Sequence, residues 1–230
     1  MTFLIENSLF FGIALTLGAY LLGVLLNRRF KIFIFNPLLI AITASIAVLA
    51  ITGIEYEDYN YGAQHISALL TPSTVCLAIP LYEQMRLLKK NFTAIMIGIA
   101  SGVLTSGIAI FAMAILFALN HTQYVTLLPK SITTAIGIGL SQELDGYIAI
   151  TVAAIMITGL FGNIAGEAMC RMFRIGNPIA KGVAIGTASH VMGTSKAMEM
   201  GEIEGAMSSL SVAVAGFMTV AAAILFENLI

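Results

Sequence analysis

The chain has 230 residues, 59% of them hydrophobic and only 10% charged, with a net charge of −1 and a mean hydropathy of +0.96. Soluble domains carry about 25% charged residues, so this balance points to an integral membrane protein and leaves no room for a sizeable soluble domain. No basic stripe exists to follow a phosphate backbone, which leaves nucleic acid without a recognition surface, and Cys76 and Cys170 show neither metal-ligand nor disulfide spacing.

In chain order, hydropathy predicts apolar segments at 8–26, 32–54, 66–82, 92–119, 125–140, 147–170, 179–197 and 206–226. About 20 apolar residues cross the hydrocarbon. The first segment is longer than a signal core and has no basic region before it, so it is expected to remain as a span. The third, fifth and seventh are short or interrupted by polar residues, Pro or Gly.

Basic residues set the expected topology, because cytoplasmic loops collect Lys and Arg. Arg28, Arg29 and Lys31 follow the first segment, Arg86, Lys89 and Lys90 the third, and Arg171, Arg174 and Lys181 the sixth. All three clusters can be cytoplasmic only if 125–140 enters and leaves on the external side. The fold class expected is therefore an all-α polytopic membrane protein with about seven transmembrane helices plus a re-entrant segment. The N-terminus is expected outside the cell membrane and the C-terminus inside. Thr71, Ser73 and Val75 recur as Thr187, Ser189 and Val191 in segments of opposite direction. This predicts one membrane domain, 1–230, built from inverted half-repeats at roughly 1–119 and 124–230.

Polar residues interrupt the apolar sequence in four places: Asn36-Pro37, Thr71-Pro72-Ser73-Thr74 with Pro80 beyond it, Pro129-Lys130-Ser131-Ile132-Thr133-Thr134, and Gly186 to Thr194. Proline removes a backbone donor, and glycine unwinds without steric cost. Pro37, Pro72, Pro80, Pro129, Gly186 and Gly193 are thus the candidate helix breaks. Broken helices at membrane depth are tolerated where they line a cavity, and their N-termini suit anions. The candidate substrate site is Asn36, Thr71, Ser73, Lys130, Ser131, Thr133, Thr134, Thr187, Ser189 and Thr194. Lys130 is the counter-charge for a carboxylate; the competing reading has it snorkelling from a shallow segment. His190 is a candidate proton relay or gate, against a hydrogen-bonded packing role. For the Ser and Thr residues the competing role is close helix packing. The pairs Gly98/Gly102, Gly162/Gly166 and Gly182/Gly186 have packing spacing. No nucleophile–base pair, metal cluster or nucleotide loop is present, so neither an enzyme nor a cofactor is expected.

The stretches Asn36-Pro37-Leu38-Leu39, Ala78-Ile79-Pro80-Leu81-Tyr82-Glu83 and Leu128-Pro129-Lys130-Ser131-Ile132-Thr133-Thr134 resemble the LrgB/CidB family. So do Gly186-Thr187-Ala188-Ser189-His190 and Glu204-Gly205-Ala206-Met207-Ser208-Ser209-Leu210, and the likeness extends over nearly the whole chain. Ala135 departs from a proline common in the family, and Met207 from an aromatic. The resemblance implies one of two functions. One is a carrier for a small organic acid such as glycolate, glycerate, pyruvate or lactate, similar to the plastid members. The other is an antiholin-like or holin-like regulator of murein hydrolases and autolysis, acting with a small LrgA/CidA-type membrane protein. A homo-oligomer, a dimer in the simplest case, is a further expected assembly. Four broken-helix motifs with one lysine and one histidine favour the carrier.

Overall fold

The computed structural model describes residues 8–30, 35–69, 72, 75–76 and 78–230, and among these only helices occur. Four are long and apolar enough to cross a bilayer: Leu9–Phe30, Met85–Leu116, Ile148–Met172 and the stretch Glu202–Leu229. The protein is a multi-pass membrane protein. These four do not establish the seven crossings expected from hydropathy, because several apolar segments take other forms.

The chain divides into two compact units, Met1–Cys76 and Leu77–Ile230. In the first, α1 (Leu9–Phe30) packs against α2 (Pro37–Thr52) and α3 (Tyr56–Ser67). Gly12 on α1 meets the backbone of α3 at Tyr59 and Ala63, a crossing that any Cβ would obstruct. Pro37 opens α2 rather than breaking it. It stands at the first helical position, where no N–H is needed, and the Asn36 side chain accepts from the amides of Leu38 and Leu39. The α2 helix has only 16 residues, shorter than the segment 32–54. Thr71 and Ser73 lie outside the described residues, and with them the expected 71–75 repeat; Pro72 is exposed.

The second unit begins with α4 (Ala78–Glu83) and α5 (Met85–Leu116). Pro80 lies within α4, and Leu77 just before that helix is outside the described residues. Next come α6 (His121–Leu127), a 3-10 turn (Leu128–Ser131) and α7 (Thr134–Glu143), then α8 (Ile148–Met172), α9 (Pro178–Met200) and α10 (Glu202–Phe226). The segment 121–143 is a helical hairpin. Thr126 on its first arm accepts from the Tyr147 amide, and its carbonyl accepts from the Thr151 hydroxyl. On the second arm, Ser141 meets Thr151 and Gly137 abuts Ile155. Both outer ends therefore sit at the Ile148 end of α8.

The segment 179–197 corrects the expectation of a seventh crossing. The backbone of α9 reverses at Ser189 (φ −137°, ψ 17°) and His190 (φ 43°, ψ −144°). Beyond that point the chain runs back along the helix it has just passed. Asn163 on α8 donates to the Met192 carbonyl and to Ser195, Glu167 pairs with Lys196, and Cys170 packs with both Ile185 and Ala197. Residues 178–188 and 191–200 are thus two arms of a second hairpin, each about 15 Å long, or half the hydrocarbon thickness. The break falls between Gly186 and Gly193, not at either. Gly186 meets the Ser208 backbone of α10 and Gly193 the Ser189 side chain, so both serve close packing. The pairs Gly98/Gly102 and Gly182/Gly186 pack in the same way, against Val183, Thr187 and the backbone of α10.

The unit has two chemically distinct ends. Arg86, Arg171, Arg174 and Lys181 mark one, where Met85 and Leu88 cluster with Ile179 and Met207; Glu199, Glu202 and Glu204, expected on the opposite side, lie here as well because 179–197 turns back. Glu143 and Asp145 mark the other, where Leu144, Leu119 and Ile230 join one apolar cluster. His121 Nδ1 donates to the Ile230 main-chain oxygen (2.7 Å). An external His121 with an internal C-terminus is therefore corrected: His121 and Ile230 share the acidic end, because 179–197 turns back instead of crossing.

Candidate functional site

The two hairpins enter the unit from opposite ends, and their turns bring residues to one cavity of about 730 Å³. Its walls are α5 and the first arm of α9. It runs from Asn91 and Asn177 at the basic end down to Lys130 and Ser131. The 3-10 turn places these two residues at its floor. Pro129 suits that turn because its fixed φ matches and its missing N–H lies among the unpaired donors of a helix start.

Three of the expected site residues line this cavity: Lys130, Ser131 and Thr187. Lys130 Nζ donates to Ser131 Oγ (3.2 Å), and Ser131 Oγ lies 3.3 Å from Ser106 Oγ on α5. No carboxylate lies within ion-pair distance of Lys130 among the described residues. Thr187 is 6% exposed, and its hydroxyl is the one buried side-chain oxygen without a hydrogen-bond partner among them. An unpaired buried hydroxyl costs about 1–3 kcal/mol. A half-buried ammonium, two hydroxyls linked to it and an orphan hydroxyl make a donor set suited to one small anion.

The remaining expected residues lie elsewhere. Thr133 and Thr134 begin α7 and do not line the cavity. Ser189 is buried against Gly162. Thr194 Oγ1 donates to the His190 carbonyl (3.0 Å) and meets Ser208 Oγ (2.8 Å), tying the second arm to α10. His190 is 3% exposed, and its Nε2 donates to the Ile155 carbonyl (3.0 Å) on α8. That bond anchors the hairpin turn, the packing role weighed against a proton relay. Asn36 caps α2 in the other unit.

Residues 16–229 match the LrgB-like family. The chain belongs to the LrgB-like family. The antiholin-like protein LrgB of Bacillus cereus (strain B4264) is 39% identical over 212 residues, 92% of this chain and 92% of that relative. The antiholin-like protein LrgB of Bacillus anthracis (strain CDC 684 / NRRL 3495) gives the same figures. No solved structure matches the chain. The LrgB-like match takes in both hairpins and the three long helices that hold them.

Sequence reasoning missed one wall of this LrgB-like cavity. Asn91, Ser101, Thr105 and Ser106 line it from α5. The signal was present: Gly98, Ser101/Gly102 and Thr105/Ser106 recur at three- to four-residue spacing, with Asn91 two turns before them, one face of a helix. Both glycines also have a place there. Gly102 receives the Thr187 methyl and Gly98 the Val183 side chain, which draws the α9 arm onto α5.

Proposed function

We propose that this protein acts as its Bacillus relatives are named, as an antiholin-like protein: a multi-pass membrane regulator that restrains murein hydrolase activity and autolysis. The observation that carries this reading is 39% identity over 92% of both chains. A small LrgA/CidA-type membrane protein is the partner proposed for it. The test is complementation of an autolysis-prone strain that lacks the native gene. Restored resistance to lysis that depends on the small partner supports the reading; unrelieved lysis with both proteins present overturns it.

A second reading is favoured by the cavity. Among the described residues it holds a cation without a carboxylate partner and an unpartnered hydroxyl, contributed by two opposed hairpins, the arrangement used by carriers built from broken helices. On this reading the protein moves a small organic acid anion of the glycolate, glycerate, pyruvate or lactate class. Autolysis would then respond to organic-acid flux. Liposomes holding only the purified chain test it: saturable uptake of a labelled acid supports the carrier, and its absence across that class removes it. Lys130, Ser131 and Thr187 are the proposed binding residues, with Ser106 added from α5. His190 serves as a positioning residue.

A further inference from the structure

We propose that the Phe226 ring is the gate that closes the Lys130 cavity toward the acidic end of the unit. The proposal rests on the carrier reading of that cavity, and goes beyond it by naming the barrier and the side from which the site is open. The cavity is continuous along α5 from Asn91, at the basic end, to Ala109, a helical distance of about 27 Å. On the buried side of α5, inward from Ser131, the space narrows abruptly. A pocket of only about 20 Å³ follows, lined by the same Ser106, Ser131 and Thr187 on one side and by Leu128, Thr219 and Phe226 on the other. Beyond these lie Ile110, Tyr124 and Val125, all fully buried, and then the acidic end. The passage thus changes from hydroxyl-lined, with Thr219 as its last hydroxyl, to the apolar cluster of Leu128, Phe226, Ile110 and Val125. An apolar constriction of this kind blocks a hydrated anion without needing a steric plug across its full width.

Two features assign the barrier to Phe226 in particular. Its ring lies against Gly107 of α5, where a Cβ would collide with the ring's far edge, so the glycine is what allows the ring to close the passage. Its carbonyl accepts a hydrogen bond from Tyr124 Oη (2.9 Å), which pins the end of α10 to the first arm of the 121–143 hairpin. The same hairpin carries Lys130 at its turn. A displacement of this hairpin would therefore move the binding lysine and release Phe226 together, coupling the site to its gate.

Thiol labelling tests the gate without substrate or lysis. In a Cys76→Ser background, Ser106→Cys reports the cavity, while Arg174→Cys and Asp145→Cys define the basic and acidic sides for an impermeant maleimide in oriented vesicles. Native Cys170, 4% exposed, reports folding. The thiol introduced by Ser106→Cys should react from the basic side and be protected from the acidic side. Phe226→Ala should abolish that protection while Cys170 stays unreactive. Gly107→Ala should do so too, by displacing the ring without truncating it, and carries the test if Phe226→Ala exposes Cys170. Labelling of Ser106→Cys from the acidic side in the unaltered gate overturns the proposal, as does retained protection in the folded gate variants. Failed uptake of organic acids with this labelling pattern intact would remove the carrier and leave the barrier.

Discussion

Glu167 on α8 and Lys196 on α9 lie 3.2 Å apart, Oε2 to Nζ, and this one distance decides the path of the chain. Were α9 straight and antiparallel to α8, Glu167 would face the neighbourhood of Val183, and Lys196 would be about 20 Å further along. The backbone reversal at Ser189 and His190 removes that separation. It converts an expected crossing into a hairpin and moves the end of α10 to the acidic end of the unit.

Cross-linking reads the hairpin directly. Asn163→Cys with Ser195→Cys should form a disulfide under mild oxidation, since the native side chains are 2.9 Å apart. Glu199→Cys should label from the same membrane side as Arg174→Cys. Asn120→Cys and Leu144→Cys should label from the other side, expected to be external because the basic loops lie opposite. Glu199 and Arg174 labelling from different sides would restore a straight crossing.

Lys130 and Thr187 should part company when mutated. Lys130→Ala removes a charge-assisted hydrogen bond and should weaken anion binding by about 1.5–3 kcal/mol, roughly ten- to hundredfold, while Lys130→Arg retains part of it. Thr187→Val replaces a hydroxyl unpartnered among the described residues with a methyl of similar shape. Thermal stability should hold or rise while binding falls by about 0.5–1.5 kcal/mol, an opposition that calorimetry and ligand titration resolve. A destabilised Thr187→Val variant would mean that the hydroxyl has a structural partner.

Glycines at the hairpin should differ sharply from a glycine with open space. A Cβ on Gly186 would strike the Ser208 backbone, which cannot rotate away, so Gly186→Ala should cost about 1–3 kcal/mol or more. Gly139 on α7 has nothing within 4 Å of the same position. Gly139→Ala should be neutral or stabilising by about 0.5–1 kcal/mol, as in a helix interior. Denaturation in detergent compares the two.

The His190 turn combines a hydrogen bond with an unusual backbone, and two substitutions separate them. Both His190→Ala and His190→Gly lose the bond to the Ile155 carbonyl. Only alanine keeps a side chain at φ 43°, a conformation costing about 1–3 kcal/mol outside glycine. His190→Gly should therefore be the more stable of the two by thermal unfolding. Equal losses would place the whole cost in the hydrogen bond.

Composition alone determined that this is a helical membrane protein, because 59% apolar residues with 10% charge satisfy lipid and not water. Motifs of polar residues in apolar sequence were enough to mark Lys130, Ser131 and Thr187, since polar side chains at such depth need protein or water around them. The charge of the loops led to the expectation that 125–140 does not cross; the structure describes 121–143 as two helical arms joined by a 3-10 turn. Hydropathy could not show that 179–197 turns back, because a buried hairpin and a crossing helix present the same run of apolar residues. Only packing against α8 and α10 separates them: Asn163, Glu167 and Ser208 supply partners that hold the returning arm. The tertiary structure likewise decided which hydroxyls meet. Thr187 reaches the cavity, while Ser189 and Thr194, two and seven residues on, turn toward α8 and α10, because a broken helix redirects each side chain after the break.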